Sequence, residues 1–70
     1  MNVPTRYQFV ISGDISDRVK AAFPDLDALR SFGGCTSLYG PVPNQTRMRS
    51  ILARLDSLGL TILEMRRLPD

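Results

Sequence analysis

The amino-acid sequence predicts one small α+β domain, a four-stranded antiparallel sheet with two helices on one face, and three observations lead there. Tyr7, Phe9 and Ile11 alternate with Gln8, Val10 and Ser12, the period of two expected of a strand with one strongly apolar face. Met48, Ile51, Leu52, Leu55 and Leu58 recur at three- and four-residue steps, which places them on one stripe of a helix. A shorter helical pattern and further β-prone runs surround these segments in an order that can close into a single sheet.

Gly13 ends the first strand, and Val10 on its second face predicts a strand covered, or nearly so, on both sides. Asp14-Ile15-Ser16-Asp17 follows. Either Asp14 or Ser16 can cap a helix by accepting hydrogen bonds from its first free N–H groups, and Asp17 suits the positive end of the helix dipole. Ile15, Val19, Ala22 and Phe23 then recur at helical spacing with Arg18 and Lys20 outside, until Pro24 forces the preceding residue out of the helical region. Asp25 to Asp27 read as a connector and Ala28 to Phe32 as a short strand. Gly33-Gly34 is a hairpin-type turn signal, and Cys35 to Val42 reads as the returning strand. Thr36, Leu38, Gly40 and Val42 share one of its faces; Cys35, Ser37, Tyr39 and Pro41 share the other. Pro41 has no N–H and belongs near the strand's end or on an edge.

The second helix runs from Asn44, a good N-cap, to Leu58. Gly59 stands where a left-handed residue closes a helix, and Leu60 can pack back on the last turn. Arg47, Arg49, Ser50, Arg54, Asp56 and Ser57 fall mainly outside the apolar stripe. Leu60 to Met65 predict a final strand, and Arg66 to Asp70 a basic, exposed tail. The order βαββαβ, two β-α-β units joined by a hairpin, is the ferredoxin-like arrangement. With no linker or low-complexity stretch, residues 1–70 form a single domain.

A chain of 70 residues builds only a small core and commonly gains stability from a staple. Cys35 is the only cysteine, so no disulfide closes within the chain; histidine is absent, which argues against a metal. Association with a second copy is the staple that remains, and a homodimer is expected. A net charge of +2 does not by itself imply nucleic acid. Residues Met1 to Gly13 hold no long apolar run or small-residue cleavage site, so no signal peptide is expected. No stretch approaches the roughly 20 apolar residues of a membrane span. A cytoplasmic protein follows, in keeping with the unpaired Cys35.

Few residues invite a chemical role. Cys35 has no histidine to activate it and reads as a small side chain on a strand. Gly33-Gly34 lacks the lysine and following helix of a phosphate loop. Asp14 and Asp17 read as cap residues, Asp25 and Asp27 as loop residues, and Glu64 as an outward residue of the last strand, paired across the sheet with an arginine. Arg47, Arg49 and Arg54, with Arg66 and Arg67, read as solvated basic positions; an RNA-binding sheet would want more aromatic residues than Tyr39 on its open face. That face draws attention for another reason. Val10, Tyr39 and Ile62, with Cys35 nearby, are expected there, and apolar surface opposite the helices would mark an interface.

The chain resembles a group of short uncharacterised actinobacterial proteins of ferredoxin-like fold. The resemblance rests on Tyr7 and Gly13; on Thr36, Leu38, Gly40 and Val42; on Asn44, Gln45 and Met48; and on Leu52, Leu55, Leu58, Gly59 and Leu60. It implies the fold and little chemistry. Where many of those relatives carry a histidine after the methionine, this chain has Arg49, so no histidine-based activity carries over. Gln45 is the one polar motif position without an evident structural duty.

The expected function is a non-catalytic interaction or assembly module, homodimeric through the open sheet face or docking another protein there, with no cofactor, metal or membrane and no nucleic-acid partner. One alternative is a small-molecule sensor like the amino-acid-binding domains of this topology, with its ligand at Gly13-Asp14. The other is a small dimeric enzyme using a cavity between sheet and helices, which the lack of a base disfavours.

Overall fold

The computed structural model describes residues 5–12, 17–30 and 32–69, without the side chains of Arg18 and Phe32. The elements are strand β1 (Arg6–Ser12), helix α1 (Asp17–Ala22), strand β2 (Asp27–Arg30), a single 3₁₀ turn (Phe32–Gly34), strand β3 (Cys35–Pro41), helix α2 (Gln45–Ser57) and strand β4 (Ile62–Arg67). The four strands form one sheet in the order β2-β3-β1-β4, and every neighbouring pair is antiparallel.

The register sorts the side chains between two faces. Tyr7, Phe9 and Ile11 stand opposite Gly40, Leu38 and Thr36 of β3, and Leu38 stands opposite Ala28 of β2. Phe9, Ile11 and Leu38 are fully buried and join Val19 of α1, Ile51 and Leu55 of α2, and Phe23, Leu26 and Val42 from the connections in one cluster. Burying an aliphatic or aromatic side chain of this size contributes about 1.5–3 kcal/mol, so this cluster is the main force holding both helices to the sheet.

Local chemistry sets the ends of α2. The Asn44 side-chain oxygen accepts a hydrogen bond from the Arg47 amide at 2.8 Å, and Asn44 itself is extended. At the other end the Gly59 amide donates to Asp56 and the Leu60 amide to Leu55, both at 3.0 Å, a Schellman closure with Gly59 left-handed at φ 75°. Helix α1 stops as Pro24 requires, and the side chain of Arg54 on α2 donates to the free carbonyl of Ala22 at 2.9 Å. Arg47 pairs with Asp25 at 3.0 Å. Two arginines expected on a solvated face therefore tie α2 to the end of α1 and its connector. The expected caps of α1, Asp14 and Ser16, lie outside the described residues.

The second and last strands and the register of the sheet edge differ from the sequence reading, and β3 ends at Pro41, one residue short of the expected Val42. The second strand is Asp27–Arg30 rather than Ala28 to Phe32, because the chain turns through Phe32–Gly34 with Gly33 and Gly34 both at positive φ. The last strand begins at Ile62 and continues through Arg66 and Arg67, which were expected in a tail. These arginines pair with Gln8 and Tyr7, and the Leu68 amide donates to the carbonyl of Arg6 at 2.7 Å. A charged edge strand is no contradiction, since one side of it always faces solvent. The third difference is a bulge in β4: Glu64 stands opposite Val10 but Ile62 opposite Ile11, leaving Leu63 unpaired.

Candidate functional site

The sheet face turned away from the core carries four ranks of side chains, the outermost being Arg6 with Pro41. One runs Asp27, Tyr39, Gln8, Arg66 across β2, β3, β1 and β4. The next runs Leu29, Ser37, Val10, Glu64. The last holds Cys35 and Ser12. Val10, Cys35 and Tyr39 thus share a face, as expected. Ile62 does not. The bulge turns it to the other side, where it packs against the core. Gly13 and Asp14, the expected ligand loop, lie outside the described residues.

Polar contacts stitch this face together. The Arg66 Nε donates to Gln8 Oε1 at 3.0 Å, and Gln8 Nε2 donates to Ser37 Oγ at 3.2 Å, a chain across three strands. Ser37 is buried beneath its neighbours although no helix covers it. Leu29, at the β2 edge, is 60% exposed. Glu64 is exposed and has no arginine partner among the described residues. Cys35 is half-buried, with its sulfur 4.0 Å from the Gly33 carbonyl. Among the described residues, no group of three or more metal-ligating side chains converges, and no helix is long and apolar enough to cross a membrane.

A second feature lies on the helix-bearing side. Met65 stands opposite Phe9 and so projects toward that side, yet it is 46% exposed. Neither helix covers this corner, which leaves a cleft of about 480 Å³ between the ends of β1 and β4 and the first turns of α2. Tyr7, Val42, Met48 and Met65 supply apolar walls, and Thr5, Asn44, Gln45 and Arg49 are polar members of the lining. The Tyr7 ring stacks on Phe9 with centroids 6.4 Å apart and planes at 26°, so the buried core fixes its position. Gln45 and Arg49 sit one helical turn apart and face the same hollow.

Periodicity could not reveal this cleft, because its walls come from β1, β4 and α2 together. The sequence held one trace of it: Gln45 is a polar motif position without an evident structural duty, whereas Arg49 fits the polar face of the helix and reads there as a solvated position. No match is found among curated proteins or among solved structures. A family model does match, over residues 6–66, from the first residue of β1 nearly to the last of β4. The chain belongs to the DUF8691 family, described as a domain of unknown function.

Proposed function

We propose that this domain is a non-catalytic assembly module that pairs with a second copy of itself through the open sheet face. The observation that carries the reading is the rank Asp27, Tyr39, Gln8, Arg66, which runs from acid at one edge to base at the other. A two-fold axis parallel to the strands would set Asp27 of each copy against Arg66 of the other, with Tyr39 over Gln8 between them. Edge-to-edge pairing is disfavoured: β2 has four residues and ends in Arg30, while β4 carries a bulge and Glu64, Arg66 and Arg67. Four strands, about 4.8 Å apart and about 20 Å long, present roughly 400 Å² per copy. That is about half the area per partner of a standard specific interface, as in weak, transient encounters, and a weak, micromolar association is expected.

The same proposal takes the fold as ferredoxin-like. Counted from β4 the order is β4-β1-β3-β2, so each helix-containing crossover skips one strand, as in two interlocked β-α-β units. The motif positions given above support kinship with short actinobacterial proteins, and the lone Cys35 suits the cytoplasm.

Sedimentation equilibrium between about 1 and 200 µM, a range that brackets the micromolar affinity, tests the interface. A reversible dimer is expected, and Tyr39→Asp is expected to shift it to monomer. Asp27→Arg is expected to weaken it, and Asp27→Arg combined with Arg66→Asp to restore it. A wild-type monomer throughout the range, or a dimer that survives Tyr39→Asp, overturns the reading.

A further inference from the structure

We propose that the cleft beside α2 binds a small monocarboxylate with an apolar body, independently of any pairing through the open face. Its volume, about 480 Å³, lies within the range of small-molecule pockets. The lining residues hold one formal charge, that of Arg49, and no carboxylate. Arg47 and Arg54, the other two arginines of α2, are engaged by Asp25 and by the Ala22 carbonyl. Arg49 has no hydrogen bond or ion pair to any described residue, and neither has Gln45 one turn before it. A guanidinium and an amide at one side of an apolar hollow suit a single carboxylate, which accepts from both donors while its hydrocarbon covers Tyr7, Met48 and Met65. A dianionic phosphate would leave charge uncompensated, and an uncharged apolar molecule would leave both donors without a partner. Arg67, opposite Tyr7 at the sheet edge, adds positive potential to this corner without lining the cleft.

The test is titration of ¹⁵N-labelled protein, followed by amide chemical shifts, with sodium octanoate as the probe. Octanol supplies the body without the charge, and acetate the charge without the body. Octanoate is expected to give saturable shifts confined to Tyr7, Gln45 to Arg49 and Met65, while acetate produces none and octanol binds at least about fivefold more weakly. Arg49→Gln is expected to weaken octanoate by about the same factor, the loss of one charge-assisted hydrogen bond at a partly exposed site. Met65→Glu, which sets a carboxylate against the ligand, is expected to weaken it further. Both positions are exposed, so these variants keep the fold. Absence of localised shifts at 10 mM octanoate overturns the proposal, taking as a generous ceiling about ten times the 1 mM Kd of a weak complex. Equal binding of octanoate and octanol, or an Arg49→Gln variant that binds octanoate as wild type does, also overturns it.

Discussion

Replacing Leu55 by alanine tests whether α2 is held by its buried stripe, and the structure grades the expected effect along that stripe. Leu55 is fully buried, whereas Leu52, three residues earlier on the same helix, is only partly buried. Leu55→Ala removes three carbons, roughly 2.4 kcal/mol of transfer free energy at about 0.8 kcal/mol per buried methylene. The packed surroundings, with Phe9, Ile11, Leu38 and Ile51 at or near zero exposure, relax incompletely, so the remaining cavity brings the cost to about 3–4 kcal/mol. Leu52→Ala loses about half the transfer contribution and opens no closed cavity, for about 1 kcal/mol. A 70-residue domain has a total stability of about 3.5–10 kcal/mol, so the first change removes a large share of it. The assay is urea unfolding followed by far-ultraviolet circular dichroism at one fixed protein concentration, because the proposed self-association would couple stability to concentration. With a slope of about 1 kcal/mol/M, the midpoint falls by about 3 M for Leu55→Ala and about 1 M for Leu52→Ala, with the slope unchanged. Equal shifts for the two variants, or a loss below about 1.5 kcal/mol for Leu55→Ala, the lower end for burying such a side chain, would refute the packing argument.

Two further predictions concern backbone chemistry. Asn44→Ala removes the acceptor for the Arg47 amide and is expected to cost about 1 kcal/mol by urea unfolding, while Asn44→Asp keeps the cap and stays near wild type. Gly40→Ala would bring a Cβ to 3.0 Å from the Asp25 carbonyl oxygen and 3.0 Å from the Leu26 side chain, where the connector after α1 crosses β3; overpacking there is expected to cost about 1–3 kcal/mol, read as a lower melting temperature by calorimetry, and an unchanged value would show that the connector moves aside freely.

How legible the fold was depended on how local each determinant is. Helix α2 came out within a residue at each end, because Asn44, the apolar stripe and Gly59 with Leu60 all act within the helix or its caps. The two faces of β3 were readable for the same reason: alternation alone separates Thr36, Leu38 and Gly40 from Cys35, Ser37 and Tyr39. Alternation failed at Ile62. Strict period two puts Ile62 on the same face as Glu64 and Arg66, which is the open one. The bulge opposite Val10 and Ile11 adds a residue, and a one-residue slip reverses every side chain beyond it. Arg66 and Arg67 were misread as tail because their pairing partners, Gln8 and Tyr7, lie at the other end of the chain. Arg47 and Arg54 looked solvated because Asp25 and the Ala22 carbonyl reach them only after α1 docks.

The placement of the arginines also bears on what the domain can recognise. Arg47 and Arg54 are engaged between the helices, Arg49 faces the cleft, and Arg66 is bonded to Gln8 on the opposite side of the sheet. A polyanion needs its cations on one continuous surface, since its affinity grows with the number of phosphates neutralised together. These four arginines are divided among separate tasks on both sides of the sheet, and among the described residues Tyr39 is the single aromatic ring in the ranks of the open face. The same division lets the open face and the cleft be tested separately. Tyr39 and Arg49 lie on opposite sides of the core built by Phe9, Leu38, Ile51 and Leu55, so a change at either is expected to leave the other's readout unaltered unless ligand and second copy are coupled through that core.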